Sequence, residues 1–231
     1  VDAQRARVFP EDSDEISGGP ERIGSGTSGF VVADVEGNAI AITQTLSTWG
    51  GSFYVSRGLG FLYNNHLRAN RTTPGSYGQL KPLTRSSTAN VPMLVFKEKG
   101  GTLTPRLAVA SAGNAWIPAS TYSIITGVID GGMSMQQAIE APRFLISRDP
   151  ADASGRGARV EIEDRFPRSV VQTLTARGHR FQKIGRKGEL RYGFASGALI
   201  DEEHGHVEGG ADPRRSHAAV AVESGSTSSQ Q

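Results

Sequence analysis

The chain has 231 residues, of which 37% are hydrophobic and 21% are charged, and 25 basic residues against 23 acidic ones give a formal net charge of +2. A chain of this size can bury a core as one large globular domain, and the absence of any run of about 18 apolar residues excludes a membrane span. The absence of cysteine excludes disulfides, thiol catalysis and cysteine-based metal sites. Because the basic residues form no stripe interleaved with aromatic residues, neither nucleic acid nor a membrane is an expected partner.

Composition divides the chain into three regions. Residues 1–26 are charged and rich in glycine: Asp2–Val8 is predicted to close a helix, and the prolines and glycines that follow predict an irregular linker. Residues 27–222 are predicted to be the folded body. Residues 223–231 form a polar tail without core-forming residues and are predicted to be disordered.

In the body, hydrophobic alternation first predicts strands, at Phe30–Val35, Ala39–Leu46, Gly60–Tyr63, Pro92–Phe96 and Leu107–Ser111. Helical spacing then predicts helices over Trp116–Ile129 and Ser134–Ala141, the second with a serine cap. The remainder predicts a helix over Pro167–Ala176 and strands at Arg159–Ile162, His179–Ile184, Phe194–Ile200 and His206–Glu208. This order favours an α+β architecture in which helices flank antiparallel sheets.

One threonine, Thr27, stands at the boundary between the linker and the first predicted strand pair. A flexible segment, a small residue, a hydroxyl side chain and then a buried strand is the arrangement that a self-cleaving N-terminal nucleophile hydrolase needs. Cleavage between Gly26 and Thr27 would give Thr27 a free α-amine beside its own hydroxyl. One residue could then serve as both nucleophile and base.

A series of short motifs follows Thr27 in a fixed order: Thr27-Ser28-Gly29-Phe30, Glu36-Gly37-Asn38-Ala39, Thr43-Gln44-Thr45-Leu46, Asn64-Asn65, Lys81-Pro82-Leu83, Ser111-Ala112-Gly113, Glu140-Ala141-Pro142-Arg143-Phe144 and Asp212-Pro213-Arg214. In this order they resemble the small catalytic subunit of the γ-glutamyltransferase (γ-glutamyltranspeptidase) family. Members of that family are N-terminal nucleophile hydrolases with a four-layer αββα sandwich of antiparallel sheets. Residues 1–8 resemble the end of the family's large subunit, so the resemblance implies a large subunit from the same precursor as the partner.

The resemblance also implies catalytic residues. Thr27 would attack the carbonyl of Gly26 during processing and a substrate acyl group in the mature enzyme, and the acyl-enzyme would be resolved by water or an amine. Thr45 stands where the family keeps a threonine that hydrogen-bonds the nucleophile. Gly113 and Asn114 stand where the family has two glycines whose backbone N–H groups hold the oxyanion. Losing one such donor typically costs about 3 to 4 kcal/mol of transition-state stabilisation.

Departures from the family pattern fall where γ-glutamyl enzymes hold the amine and carboxylate of the glutamyl group. Ser47 replaces an asparagine, His66 a glutamine, Ala69 an aspartate, and Thr84-Arg85 a pair of serines. A cationic amine would lose its carboxylate partner at Ala69, while Arg85 adds a fork that could hold a carboxylate or keto acid. We therefore expect Ser47, His66, Thr84 and Arg85 to bind a small amide or acyl substrate other than an ordinary γ-glutamyl amino acid.

Three alternatives stay open at this point. The chain could belong to an ordinary γ-glutamyl transferase or hydrolase that acts on glutathione-type substrates. It could belong to an oxamate-type amidohydrolase, to which residues 160–166 are similar, or to a carbon–carbon hydrolase of a biosynthetic pathway. It could also be an unprocessed homologue that serves as a binding or scaffold protein. No cofactor or metal is implied, and the bacterial cytoplasm is favoured over the periplasm or secretion.

Four other motifs are better explained without a binding or catalytic role. Gly24–Gly29 fits the G-x-G-x-x-G dinucleotide fingerprint, but a linker precedes it and a predicted strand follows, where the fingerprint needs a strand and then a helix. The pair His204 and His206 could bind a metal with neighbouring glutamates, but it lies in a predicted surface turn. Asn70-Arg71-Thr72 matches a glycosylation sequon, which matters only in a secreted eukaryotic protein. Arg143 is expected to be a structural ion-pair partner and not a substrate ligand.

Overall fold

The computed structural model describes residues 27–152, 157–184, 193–202, 204–215 and 217–222. The predicted helix over Asp2–Val8, the linker up to Gly26 and the predicted tail from Glu223 lie outside the described residues. In these ranges the strands are β1 (Thr27–Ala33), β2 (Ala39–Thr45), β3 (Met93–Lys99), β4 (Thr102–Ala112), β5 (Phe144–Arg148), β6 (Ala158–Ile162), β7 (Phe181–Lys183), β8 (Phe194–Asp201) and β9 (His206–Ala211), and the α-helices are α1 (Trp116–Ile129), α2 (Met135–Glu140) and α3 (Arg168–Ala176). Of the helices in the described ranges, none has the length and apolar character needed to cross a membrane.

The strands form three sheets. Strands β1 and β2 form an antiparallel hairpin, and β3, β4, β8 and β9 form an antiparallel sheet in the order β3-β4-β8-β9. Strands β5, β6 and β7 form a smaller sheet in which β6 and β7 run parallel. The predicted α+β class with antiparallel sheets is confirmed, and the parallel pair is an addition that the sequence pattern does not predict.

Strand β4 lies inside the four-stranded sheet, and its two faces differ in side-chain size because residues alternate between faces along a strand. Leu107 and Val109 lie on one face, where they join the hydrophobic core cluster with side chains of α1 and α2. Ala108, Ala110 and Ala112 lie on the other face and are buried, and we call this side of the sheet the alanine face. Small side chains on this face allow a second layer of backbone to approach closely.

The β1-β2 hairpin packs on the alanine face. Ser196 of β8 donates its hydroxyl to the carbonyl of Gly29 at 3.2 Å, and Thr43 of β2 donates its hydroxyl to the carbonyl of Ser111 at 3.3 Å. The backbones are so close here that a β-carbon on Gly29 would lie 2.8 Å from the nitrogen of Ser111 and 2.9 Å from the carbonyl carbon of Ala110. The missing side chain at Gly29 therefore sets the distance between the hairpin and the sheet.

The predicted helices are present. Helix α2 begins with the predicted serine cap: the hydroxyl of Ser134 accepts the backbone N–H of Gln137, and the Gln137 side chain accepts the N–H of Ser134 in return. This reciprocal pairing satisfies two backbone donors that the first helical turn leaves free. Helix α3 begins directly after Pro167, as the fixed φ angle of proline favours.

The strand predicted at Gly60–Tyr63 is wrong. In the structure this stretch is irregular, and only an isolated bridge joins Leu62 to Val55. Gly60 has a φ of +70°, which interrupts extended backbone, and the aromatic rings stack on one another, with 5.2 Å between the ring centroids of Phe61 and Tyr63. Ring packing in a long loop therefore explains an apolar pattern that resembles a strand.

Conversely, the hydrophobic pattern does not predict strand β5. Its sequence, Phe-Leu-Ile-Ser-Arg, shows no clear alternation, although Pro142 precedes it and the turn signal Asp149-Pro150 follows it. Its extended form comes from antiparallel pairing with β6, which runs from Phe144 opposite Ile162 to Arg148 opposite Ala158. A partner strand can override weak local preference.

A buried ion pair between Arg143 and Asp212 joins α2, β5 and the strands β8 and β9. The Nη2 atom of Arg143 lies 2.7 Å from Oδ2 of Asp212, and the two side chains are 1% and 0% exposed. The same carboxylate oxygen accepts the backbone N–H of Ala195 at 3.0 Å. Arg143 also donates to the carbonyl oxygens of Gly193 at 2.6 Å and Ile139 at 3.0 Å. Arg143 is thus a structural ion-pair partner, as predicted.

Arg214 and Glu163 extend this pair into a network. The guanidinium of Arg214 binds Glu163 through two contacts of 2.5 and 2.9 Å and also lies 3.2 Å from Asp212, while Arg165 binds Glu163 at 2.7 Å. Burial alone would raise the pKa of Glu163, but the hydrogen bond and charge of Arg214, together with Arg165, outweigh burial and lower this pKa below its ordinary value. Glu163 is therefore held as a carboxylate.

We expect Glu163→Gln to lower the free energy of unfolding by about 3 kcal/mol, because it removes the carboxylate that binds the mostly buried guanidinium of Arg214 through two contacts. The wild-type contribution of Glu163 is fully present above about pH 4.3, the ordinary pKa of a glutamate, and is lost as the pH falls from there through the lowered pKa of the folded state. Urea unfolding between about pH 7 and about pH 3 measures both effects.

Glu161→Gln is the matched control. Glu161 lies on β6 and pairs with Arg159 at 3.1 Å, but both side chains are partly exposed, so its loss should stay below about 1 kcal/mol. Equal destabilisation by the two variants, or an unchanged acid dependence in Glu163→Gln, would contradict the role assigned to Glu163.

Candidate active site

Thr27 and Thr45 face each other where the hairpin opens. They form the terminal register pair of β1 and β2, their Oγ1 atoms are 2.8 Å apart, and Thr27 is only 4% exposed. The opposite end of the hairpin fixes this register, since the carboxylate of Asp34 accepts both the backbone N–H and the side-chain amide of Asn38 at 2.8 Å. A short turn of defined geometry therefore places the two hydroxyls in contact.

Ser47 continues the contact between the threonines. Its backbone N–H donates to Oγ1 of Thr45 at 2.8 Å, and its own φ is +74°, a left-handed conformation. Oγ1 of Thr45 keeps one further lone pair and its own hydrogen, so it can either donate to Oγ1 of Thr27 or accept from it. The Nε atom of Arg68 donates to Oγ of Ser47 at 3.3 Å. We call Thr27, Thr45, Ser47 and Arg68 the hydroxyl chain.

Asn65 brings the segment that carries Arg68 beside the end of β2. Its backbone N–H donates to the carbonyl of Leu46 at 3.1 Å, and its side-chain amide donates to Oγ1 of Thr48 at 2.6 Å while accepting the Thr48 N–H at 3.3 Å. A short 3-10 helix, His66–Ala69, follows directly. Sequence reasoning noted the Asn64-Asn65 pair only as a motif and assigned no role to Arg68, since nothing local shows that the loop returns to β2.

The turn at Gly113 and Asn114 lies between β4 and α1. Gly113 has a φ of +125° and Asn114 a φ of +52°, so consecutive residues adopt backbone conformations that L side chains rarely favour. Ser111, two residues earlier, is the residue whose backbone contacts Gly29 and Thr43 of the hairpin. The turn is thus connected to the layer that carries Thr27.

Gly193 holds the Gly113 turn from the other side. A β-carbon on Gly113 would lie 2.5 Å from the α-carbon of Gly193, and the carbonyl of Gly193 accepts a hydrogen bond from Arg143. The buried ion pair with Asp212 therefore fixes a backbone segment against which the turn packs. A predicted oxyanion donor and the buried charge network are one contact apart.

The remaining predicted substrate residues are less closely joined to Thr27. The backbone N–H of His66 donates to Oδ1 of Asn64 at 2.9 Å, and both ring nitrogens of His66 are buried and have no hydrogen-bond partner among the described residues. Thr84 is exposed and donates its hydroxyl to the carbonyl of Lys81 at 2.7 Å, and Arg85 is exposed. Within the described ranges, no hydrogen bond joins Thr84 or Arg85 to the hydroxyl chain.

Backbone strain is concentrated in the same region. Among the described residues, the non-glycine positions with positive φ are Ser47, Phe53, Leu83 and Asn114. Ser47 and Asn114 are predicted site residues, and Leu83 directly precedes Thr84. Strained residues of this kind cluster at functional sites, where the surrounding structure holds them in place. This distribution supports the location of the candidate site.

The competing motifs lead elsewhere. Strand β1 begins at Thr27, so a strand and not a helix follows the glycines of the Gly24–Gly29 motif, which excludes a dinucleotide fingerprint. His204 lies at the exposed turn between β8 and β9, where its Nδ1 atom is 2.8 Å from Oδ2 of Asp201. In the described part of the chain, no group of three or more acidic, histidine or cysteine side chains could hold a metal ion.

Sequence comparison agrees with this arrangement. The profile of the family described as gamma-glutamyltranspeptidase matches residues 2–222. The glutathione hydrolase-like YwrD proenzyme of Bacillus subtilis (strain 168) is 33% identical over 200 residues, which cover 87% of this chain and 36% of that protein. The acylase ACY 1 proenzyme of Pseudomonas sp. (strain V22) is 31% identical over 229 residues, which cover 97% of this chain and 37% of that protein.

Solved structures agree as well. A mutant gamma-glutamyltranspeptidase from Helicobacter pylori aligns with a TM-score of 0.65 and 25% identity, over 81% of this chain and 100% of that one. The cephalosporin acylase from Bacillus halodurans aligns with a TM-score of 0.62 and 25% identity, over 76% of this chain and 30% of that one.

The fold is that of the N-terminal nucleophile hydrolases. Within that class, the chain belongs to the gamma-glutamyltranspeptidase family, and it spans 36% to 37% of the length of the two curated relatives described above.

We expect Gly113→Ala to destabilise the protein by about 2 kcal/mol more than Gly100→Ala, as measured by urea unfolding. Both glycines have positive φ, +125° at Gly113 and +60° at Gly100, so both variants carry backbone strain, of about 1 to 2 kcal/mol at Gly100 and no less at Gly113. Only at Gly113 would the new methyl group also meet backbone, that of Gly193, whereas no atom lies within 4 Å of a β-carbon at Gly100. Equal losses for the two variants would show that Gly193 does not fix the turn.

Proposed function

We propose that the protein is an N-terminal nucleophile hydrolase that cleaves itself between Gly26 and Thr27 and then forms an acyl-enzyme on Thr27. The observation that carries the proposal is the buried Thr27 hydroxyl, which begins β1 and lies 2.8 Å from the Thr45 hydroxyl. Membership of the gamma-glutamyltranspeptidase family supports hydrolase or transferase chemistry. The bond cleaved in the substrate is an amide or acyl bond.

In the processing step, Oγ1 of Thr27 attacks the carbonyl carbon of Gly26. The peptide C–N bond breaks, the hydroxyl proton passes to the nitrogen of Thr27, and an ester joins the two residues. Water then hydrolyses this ester and leaves Thr27 with a free α-amine and a free hydroxyl. The ordinary pKa of an α-amine, about 7.7 to 8.0, suits a proton acceptor at neutral pH.

In each turnover, the α-amine takes the hydroxyl proton while Oγ1 of Thr27 attacks the substrate carbonyl. The proton then passes to the leaving amine, and water or a second amine releases the acyl group from the ester. Ser47 and Thr45 assist this step: the N–H of Ser47 polarises the Thr45 hydroxyl, which donates to the oxygen of Thr27 as negative charge develops there.

The backbone N–H groups at Gly113 and Asn114 are the proposed donors to the tetrahedral oxyanion. Their support is the strained turn after β4, its link through Ser111 to the hairpin, and its packing against the fixed Gly193. Donors held in place before the reaction stabilise the transition state because they need no reorganisation as charge develops. A strained turn within a rigid frame fits this requirement.

The proposed substrate is not an ordinary γ-glutamyl amino acid, and Ser47, His66, Thr84 and Arg85 are the proposed binding residues. Ala69 follows Arg68 on the 3-10 helix and offers no carboxylate to a substrate amine. The relatives carry names from two groups, glutathione hydrolase and acylase, so hydrolysis of a glutathione-type compound is the second candidate. The missing carboxylate at Ala69 favours the acylase type.

The proposed partner is a large subunit derived from the same precursor. The relatives are named proenzymes, and this chain spans about a third of their length. The outward face of the hairpin is apolar: Phe30 and Val32 of β1 lie opposite Ile42 and Ile40 of β2, and these four side chains are 38% to 60% exposed. A two-stranded hairpin with an uncovered apolar face needs a further layer for stability.

We expect Thr27→Ala to remain a single uncut polypeptide and to show no turnover, because it lacks the hydroxyl that attacks Gly26. Thr27→Ser keeps a hydroxyl and should still be cut, with reduced activity. Intact-mass measurement of the purified precursor gives the outcome, and wild-type protein should show a new N-terminus at Thr27. An uncut wild-type chain would support the scaffold alternative, and a turning-over Thr27→Ala variant would overturn the proposal.

We expect Val32→Glu to reduce association of the two subunits, measured as the fraction of large subunit that copurifies with the small one. A charge on this face would be buried without a partner. Ile146→Glu is the control, because Ile146 is similarly exposed, at 65% against 60% for Val32, but lies on β5 in another sheet. Equal loss of association in both variants would argue against the hairpin face as the contact surface.

A further inference from the structure

The hydroxyl chain ends in a cation that the proposed chemistry does not use. Nε of Arg68 donates to Oγ of Ser47 at 3.3 Å, and the backbone N–H of Ser47 donates to Oγ1 of Thr45 at 2.8 Å. Oγ1 of Thr45 lies 2.8 Å from Oγ1 of Thr27. Only the Nε atom of Arg68 takes part, and its terminal Nη groups have no hydrogen bond to any other described residue. An exposed guanidinium is therefore held two hydrogen bonds away from the hydroxyl that Thr27 contacts.

The segment that surrounds Arg68 contains no acidic residue. Between Glu36 and Glu98 the sequence has no aspartate or glutamate, whereas it has basic residues at Arg57, Arg68, Arg71, Lys81, Arg85 and Lys97. This bias is local, because the whole chain has nearly equal numbers of acidic and basic residues, 23 and 25. A cationic group beside the hydroxyl chain would find no carboxylate in this segment, whereas an anion would find several guanidinium groups.

The described acidic residues that connect to the hairpin and to the Gly113 turn do not compensate. Asp34 and Glu36 lie at the closed end of the hairpin, and Thr27 lies at its open end. Asp212, near the Gly113 turn through Gly193, is fully buried and paired with Arg143. Among the described residues, these carboxylates are thus either at the far end of the hairpin or already paired with an arginine.

The 3-10 helix gives a second indication of a ligand. His66, at its first residue, has both ring nitrogens buried, and neither nitrogen has a hydrogen-bond partner within the described ranges. Buried polar atoms are nearly always paired with protein or with a bound group. An unpaired imidazole on the helix that carries Arg68 fits a polar ligand at this place.

We propose that Arg68 binds a carboxylate on the acyl group of the substrate, and that the site therefore takes dicarboxylic monoamides, whose acyl group carries a carboxylate and no amine. This inference rests on the proposed acyl-enzyme chemistry of Thr27. A guanidinium suits this role because its planar donors match the two oxygens of a carboxylate. The missing carboxylate at Ala69 and the acid-free segment leave a substrate amine without a carboxylate partner on this stretch of the chain.

Three matched anilides of the same acyl chain length test the proposal on the processed, two-subunit protein. Glutaryl p-nitroanilide has the carboxylate alone, γ-glutamyl p-nitroanilide has the carboxylate and an amine, and pentanoyl p-nitroanilide has neither. We expect kcat/KM for the glutaryl compound to exceed that of the pentanoyl compound by at least about 10-fold, as one charge-assisted hydrogen bond would give. It should also exceed that of the γ-glutamyl compound, because the ammonium group of that compound meets no carboxylate in the segment around Arg68. A γ-glutamyl compound that equals or exceeds the glutaryl compound would overturn the proposal.

Substitutions then assign the effect to Arg68. Arg68→Gln should lower kcat/KM for the glutaryl compound by about 10- to 100-fold and leave that of the pentanoyl compound unchanged, while Arg68→Lys should lose less. Arg71→Gln removes the same charge three residues along the chain and should have little effect. Equal losses of kcat/KM in Arg68→Gln and Arg71→Gln would indicate that only the overall positive charge of the segment matters, and would overturn a direct contact between Arg68 and the substrate.

The outcomes separate this inference from the proposed function. If mass spectrometry finds an acyl group on Thr27 from the γ-glutamyl compound and none from the glutaryl compound, the acyl-enzyme stands and the role of Arg68 falls. If none of the three compounds acylates Thr27 in a correctly processed protein, the role of Arg68 falls as well. If Thr27→Ala hydrolyses the glutaryl compound, the proposed function itself falls.

Discussion

The buried pair of Arg143 and Asp212 is the constraint on which the rest of the structure depends. Removing two charges from water is expensive, and well-packed apolar groups would give comparable stability. Unlike apolar groups, the pair also fixes the positions of particular backbone groups, because each charged side chain hydrogen-bonds to them. Asp212 accepts the N–H of Ala195 on β8, and Arg143 binds the carbonyl oxygens of Ile139 on α2 and Gly193 ahead of β8. Helix, sheet and connecting segment are thereby fixed relative to one another.

Two sets of backbone contacts connect the candidate site to this fixed frame. Gly193 restrains the turn at Gly113, since the two glycines are in direct backbone contact. The alanine face restrains the hairpin, because its small side chains let Gly29 pack directly on the backbone of Ser111. Thr27, the proposed nucleophile, and the Gly113 turn, the proposed oxyanion site, belong to different layers, and both layers contact β4 or its end. Strain at Ser47 and Asn114 is tolerated because this frame holds them.

Much of this arrangement could be predicted from sequence, and the reasons for success and failure differ by element. The hairpin and helices α1 and α2 were predictable because their periodicity and caps are local signals. The contact between Thr27 and Thr45 follows from a short turn that fixes register. Strand β5 and the false strand at Gly60–Tyr63 depend on partners far along the chain, and local patterns do not report such partners. Arg68 was missed for the same reason, since only Asn65 and its contacts with Leu46 and Thr48 bring its helix back to β2.

The uncovered apolar face of the hairpin has a consequence for the order of maturation. A face formed by Phe30, Val32, Ile40 and Ile42 would aggregate if it were released before a covering layer arrived. In the proposed precursor the covering layer would be part of the same polypeptide, and its effective concentration near the hairpin would be on the order of millimolar without any search through solution. If the bond between Gly26 and Thr27 is cut only after the covering layer has docked, the two parts assemble within one chain and then remain together as a heterodimer. The bond that joins the two halves would serve first as an assembly aid and only then as the first substrate.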